Sequence, residues 1–509
     1  MPVRRDRDPT GTDHAHASAS QSPLCRTVYT VSTRWQTDPV SDLLSPIEAV
    51  MWRVGNDTTL RMTVGTLMML DRKPSREALV ERLTRAATQA PVLRRRPDDP
   101  TRLRRRPEWI DCDNFNASDH VRTMTVPSHG DLRQVLDLVE LIEPLPFDPD
   151  RSPWDVTLVD GLEGERAALY LRGHHVVADG LGGISLLRLL LDEQGRAKAT
   201  TNPRAPRPRA GDAETTRRPG TVTIDLRSAI RPLASGVDAA MKFAPVDAVD
   251  DVVHAFQRSL DVANSVSRQV LIAEGPLSPL TSSRSVTSRF EVLSGPGARR
   301  ASIALGGSRN DLLVAVVACG LGLYHERLGE PCPELRLATP ISLRRTGRAG
   351  GNWFAPIRVE VPTSADHPGP QFGVIAERLA RARGEPALRL TATLASGIGH
   401  LPTRLIVPFL QAQADSIDFA VTALPGFAGV RHICEATIEE SFPFGPRLGC
   451  PMNVSAFGNE DRLDMGIALD PAAIVQPDVL LDCLQTAFTS FVTEGKPTRG
   501  KGSHALPRA

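Results

Sequence analysis

Of the twelve histidines in the chain, only His174 and His175 are adjacent, and Asp179 and Gly180 follow four and five residues beyond the second. A neutral imidazole, whose ordinary pKa lies near 6.5, suits the removal of a proton from an attacking hydroxyl at neutral pH, the task a base performs in acyl transfer from a thioester. One ring is enough. Neighbouring side chains on a strand point to opposite faces, so if the extended conformation persists His174 and His175 cannot both face one pocket. Asp179 can orient an imidazole as in a serine-type triad, or pair with an arginine and hold its loop. A hydrogen-bonded histidine pair without a catalytic role is the plainer alternative. A metal site is another, but no further His, Cys or carboxylate completes a recognisable ligand set in the sequence, so no metal is expected. Gly180, Gly182 and Gly183 would permit a tight exit from the segment.

Other chemistries find no support in the sequence. There is no nucleophilic serine in a Gly-x-Ser-x-Gly elbow, which disfavours a covalent acyl-enzyme. Gly306 and Gly307, before Asn310, form neither a phosphate loop nor a dinucleotide fingerprint. The seven cysteines are odd in number, scattered and without a Cys-x-x-Cys pair, which points to a reducing compartment.

The elements that must position the histidines can be read from hydrophobic period. RAALYLRGHHVV (166–177) reads as a strand running through a glycine turn into the apolar helix ISLLRLLLDEQ. TLRMTVGTLMMLD (59–71) reads as a half-buried strand in which Leu60, Met62 and Val64 alternate with polar residues, and Ser75 as the N-cap of SREALVERLTRAA. In the second half NDLLVAVVACGLGLYHERLG reads as a long buried helix. LRLATPISLR and NWFAPIRVEVP read as strands, and MNVSAFGNEDRLDMGIALDP as two strands about a turn.

At 509 residues the chain exceeds one ordinary core. A net charge of +1, with 41% hydrophobic and 23% charged residues, excludes an overall basic nucleic-acid binder and a disordered chain. The expected organisation is a loose tail over 1–40, a first domain over 41–194, a linker over 195–275, a second domain over 276–494 and a loose end over 495–509. The linker assignment rests on GRAKATTNPRAPRPRAGDAETTRRPG, with seven basic residues, four prolines and no large aliphatic side chain. The longest apolar stretch, Leu312 to Tyr324, is shorter than the ~20 residues that span a bilayer. A cytoplasmic protein is expected, with peripheral contact at an inner membrane face or lipid droplet. LRRRPDDPTRLRRRP (93–107) is either a solvated loop or a patch for anionic headgroups or coenzyme A phosphates.

These segments together resemble the wax ester synthase/diacylglycerol acyltransferase family, within the superfamily of chloramphenicol acetyltransferases and peptide-synthetase condensation domains. The resemblance runs from LSPIEAVMW through PLPFDPDRSPWDVTLVDGL and RGHHVVADGLGG to SRNDLLVAVV, ATPISLR, GNWFAPIRVEVP and TALPGF, or roughly residues 44–490. SPW at 152–154 and the absence of Asn before Pro425-Gly426 depart from the usual motifs. The resemblance implies a mixed α/β (α+β) fold of two chloramphenicol-acetyltransferase-like domains with an active-site channel between them. It implies His175 as general base, with His174 beside it, Asp179 structural and paired with Arg344, and Gly180, Asn310, Asp311 and Asn352 in structural or channel-wall roles. The implied function is an acyl-CoA-dependent O-acyltransferase that makes triacylglycerol or wax ester, with acyl-CoA and a lipid alcohol as substrates and no bound cofactor, metal or nucleic acid. A carrier-protein-fed condensation enzyme and a non-catalytic lipid-binding protein are the alternatives.

Overall fold

A computed structural model describes residues 42–99, 106–192, 275–281, 284–342, 354–384 and 403–495. In the first half the elements are α1 (Pro46–Val54), β1 (Thr63–Leu70), α2 (Arg76–Gln89), β2 (Arg95–Asp98), β3 (Glu108–Asp111), β4 (Val121–Gly130), α3 (Leu132–Ile142), β5 (Trp154–Leu162), β6 (Ala167–His174) and α4 (Gly180–Leu190). The second half contributes β7 (Arg289–Pro296), α5 (Ala298–Ala304), α6 (Arg309–Arg327), β8 (Glu334–Ser342), β9 (Phe354–Pro362), α7 (Pro368–Arg383) and α8 (Thr403–Asp415). It closes with β10 (Phe419–Pro425), β11 (Arg431–Ile433), β12 (Ala436–Phe444), β13 (Met452–Gly458), β14 (Arg462–Leu469) and α9 (Pro477–Glu494).

Two six-stranded sheets carry the described fold, in the orders β11-β12-β1-β6-β5-β4 and β7-β14-β13-β10-β8-β9. The first holds two strands from the second half: β12 pairs antiparallel with β1, Gly65 opposite Phe444. A division of the chain at 195–275 therefore does not describe the strand pairing. The two sheets meet where a Cβ on Gly466 of β14 would lie 2.1 Å from the Pro443 carbonyl of β12, so only glycine admits that crossing.

Strand β1 departs from the half-buried strand expected over 59–71. It starts at Thr63, and Thr66 to Leu70 are all buried, because β1 is central and covered on both faces. Leu67 and Met69 pack with α3, Phe290 and Phe442, whereas Met68 and Leu70 pack with α2 and α4. Leu60 and Met62 lie before the strand and join α1 and Ile406 of α8 in a separate cluster. Their spacing mimicked strand alternation.

Helices follow local rules more closely. Ser75 caps α2, accepting from the Ala78 amide, and Ser45 with Glu48 forms a capping box on α1. Helix α6 is buried from Asp311 through Gly322 between α9 and the second sheet, as its continuous apolar run requires.

Candidate active site

Strand β6 stops at His174 and His175 opens a turn, so strand alternation does not by itself set the two side chains apart. The His175 amide donates to the Met62 carbonyl (2.7 Å), and the Val177 amide donates to the His174 carbonyl (2.9 Å), which closes the turn. Asp179 then caps α4: its Oδ1 accepts from the Gly182 amide at 2.7 Å, and its carbonyl accepts from Gly183 at 2.7 Å. Gly180 to Gly183 are thus the first turn of the helix itself, not a loop before it. A Cβ on Gly180 would come 2.5 Å from Leu424 Cδ2 of β10, so the start of α4 is seated against the second half.

His174 and His175 occupy unlike environments. His174 is 6% exposed, with its ring edge-on to Trp52 at a centroid distance of 5.1 Å, and its Nδ1 accepts from the Val176 amide at 3.1 Å. That bond assigns the neutral ring's proton to Nε2, which is buried and has no hydrogen-bond partner among the described residues. Burial pushes the His174 pKa down to about 3, and the charge of His175 acts in the same direction. The His174 ring is thus held toward its neutral form, with its Nδ1 taken up by the turn's Val176 amide. His175 is half-buried and is the first residue of the turn that leaves the sheet.

The His174 environment gives two expectations. Unfolded, an imidazole takes up its proton near pH 6.5, while folded His174 resists protonation until about 3. Between these values the unfolded chain binds more protons. Stability is thus fully present above 6.5 and declines as pH falls toward 3, by up to about 1.4 kcal/mol per pH unit from this group. Burial also lowers the pKa values of His120 and His325, which adds the same sign. Thermal melts between pH 7 and 4.5 should show a steeper fall for the parent than for His174→Asn; equal slopes would refute the assignment. Second, a Cβ on Gly55, just past α1, would lie 2.4 Å from His174 Nε2. Gly55→Ala should displace the ring at a cost of about 1–3 kcal/mol of stability, as overpacking does, and lower turnover with it. A melting temperature equal to the parent's would show that the ring yields freely.

A buried charge network two residues before His174 was not anticipated. Arg172 is fully buried; its Nε and Nη2 hold Asp155 at 2.8–3.1 Å. Its Nη1 donates to the carbonyls of Ile142, Glu143 and Leu145 at the end of α3. Arg122 adds a second contact to Asp155 at 2.8 Å. A basic residue inside the otherwise apolar AALYLRGH was the available signal.

The remaining residues singled out in the sequence are more dispersed. Asp311 accepts from the Ser308 amide in the capping box of α6 and pairs with Arg383 Nη2 at 2.7 Å, with Asn310 half-exposed beside it. Arg344 and Asn352 lie outside the described residues, so the pairing of Arg344 with the buried Asp179 does too. In the arginine-rich segment, Arg95 is paired with Asp42 and Asp111 and donates to the Trp109 carbonyl, while Arg104 and Arg105 lie outside the described residues. Among the described residues no single helix is long and apolar enough to cross a membrane.

An HHxxxDG turn on the first of two sheets, with its following helix seated against the second half, belongs to a mixed α/β fold of the condensation-domain kind. Residues 44–311 match the wax ester synthase/diacylglycerol acyltransferase catalytic domain and residues 350–491 the C-terminal domain of the same family. The chain belongs to that family. A Mycobacterium tuberculosis protein provisionally named as a diacylglycerol O-acyltransferase is 29% identical over 456 residues, covering 89% of this chain and 92% of that one. The wax ester synthase/diacylglycerol acyltransferase from Marinobacter aquaeolei VT8 superposes with a TM-score of 0.57 at 17% identity, over 89% of this chain and 99% of that one. The first condensation domain of the calcium-dependent antibiotic synthetase gives 0.55 at 15% identity, over 90% and 96%. These two structures share the fold.

Proposed function

We propose that this acyltransferase moves a fatty acyl group from acyl-CoA to the hydroxyl of a lipid alcohol, forming triacylglycerol from diacylglycerol or wax ester from a long-chain alcohol, with His175 as general base and no metal or bound cofactor. The observation that carries this reading is the contrast between the two rings: His174 is buried and held neutral, while His175 is half-buried on an anchored turn. In the proposed step the hydroxyl oxygen bonds to the thioester carbonyl carbon as its proton passes to His175. The tetrahedral adduct then breaks its carbon–sulfur bond, and the departing thiolate takes the proton back. Acceptors this apolar require reversible contact with a membrane or droplet surface.

Labelled palmitoyl-CoA offered to diacylglycerol and to hexadecanol in parallel, with products separated by polarity, tests the proposal. A labelled ester from either acceptor supports it and ranks the two. No ester from either would overturn it.

A further inference from the structure

Helix α4 carries Asp179 at its start, and its far end is fastened by contacts that the motif does not include. Asp192, two residues past Leu190, donates its amide to the His432 carbonyl at 2.8 Å. Its carboxylate accepts from the amides of Cys434 (3.2 Å) and Glu435 (2.9 Å) and from the Arg82 guanidinium, whose Nη1 also donates to the Leu191 carbonyl at 2.8 Å. Cys434 and Glu435 form the two-residue turn between β11 and β12, and both have positive φ, 48° and 67°. That conformation favours glycine or asparagine, neither of which is present, so the carboxylate stabilises a turn its own residues disfavour.

The clasp closes a mechanical ring. From the hairpin, β12 pairs with β1, and β1 pairs with β6, where Thr63 stands opposite His174. The chain passes from there through His175 and Asp179 into α4, whose eleven residues span about 16 Å, and returns to the hairpin at Asp192. The start of the helix is seated on Leu424 by van der Waals contact, which resists approach but not sliding along the axis. Among the described residues, the directional bonds that fix the helix lengthwise at its far end are those of Asp192 and Arg82.

We propose that Asp192 is a positioning residue for acyl transfer: held by the β11–β12 hairpin and Arg82, it sets the axial position of α4 and through it the placement of Asp179 and the His175 turn. The kinetic part rests on the acyltransfer reading above. In Asp192→Ala, kcat should fall roughly tenfold with the KM for palmitoyl-CoA within about twofold, since displacements on the order of 1 Å weaken chemistry more than binding. Asp192→Asn, which keeps one acceptor for the hairpin amides, should restore part of the rate, and Arg82→Ala should reproduce part of the loss. Hydrogen exchange on the full chain supplies the second readout. The Gly182 and Gly183 amides, about 14–15 Å from the substitution by helix geometry, should exchange faster in Asp192→Ala while Val156 and Leu158 of β5 do not. Unchanged exchange at the two glycines would overturn the proposal, as would faster exchange across β5 as well, which means general loosening. A parent that forms no ester would instead overturn the acyltransfer reading, and the glycine amides would still decide whether Asp192 holds the helix.

Discussion

Replacing His175 with alanine should lower kcat by roughly 10² to 10⁴-fold, the range for loss of a general base, while leaving the protein folded and the KM for acyl-CoA little changed. The fold should survive because alanine retains the backbone amide bonded to the Met62 carbonyl. His174→Ala should behave differently: it removes a buried ring and the acceptor of the Val176 amide, so its smaller loss of rate should come with a lower melting temperature. Steady-state rates and melting curves on both variants separate the roles. Near-normal turnover in His175→Ala would end the general-base assignment.

The largest stability effect is expected at Arg172. Its guanidinium neutralises Asp155 and satisfies three carbonyls at the end of α3, and it lies 4.6 Å from the Phe147 ring. In Arg172→Met, Asp155 keeps, among the described residues, only Arg122, whose side chain is 43% exposed, and the three carbonyls lose a donor in a place water reaches poorly. Breaking one side of such a buried pair typically costs 3–5 kcal/mol, because the partner's charge stays buried. Lysine should not rescue it, since one ammonium cannot replace the planar fork that serves Asp155 and the carbonyls together. Urea denaturation followed by tryptophan fluorescence measures the loss; a midpoint within error of the parent's would mean that water or rearranged neighbours take over the bonds.

The parts of this architecture legible in the sequence are those written in local period and local chemistry. The strand, turn and helix around HHVVADG, the cap at Ser75 and the buried helix α6 all follow from residues within a few positions of one another. Resemblance placed Asp311 in a channel wall; in the fold it closes a capping box with Ser308 at the start of α6. Gly180 to Gly183 read as a loop because glycine is a poor helix former; the close approach of Leu424 that calls for glycine at 180 is tertiary. Gly55 carries no local sign of His174. The pairing of β1 with β12 joins residues as distant as Gly65 and Phe444, and no local window contains that information.

That exchange of strands bears on synthesis. When the ribosome has finished α4, β6 has its partners β5 and β1, but the other edge of β1 awaits β12. Roughly 250 residues separate Asp192 from Phe444, and at about 5–20 residues per second that edge stays unpaired for on the order of tens of seconds. It is a bare edge of Leu67, Met68, Met69 and Leu70, the kind of strand that recruits other chains. The nascent protein is then most vulnerable not at its hydrophobic core but along this one unfinished seam. A fragment ending at Asp192 should accordingly aggregate when released, and supplying β11–β12 as a peptide in trans should keep it in solution.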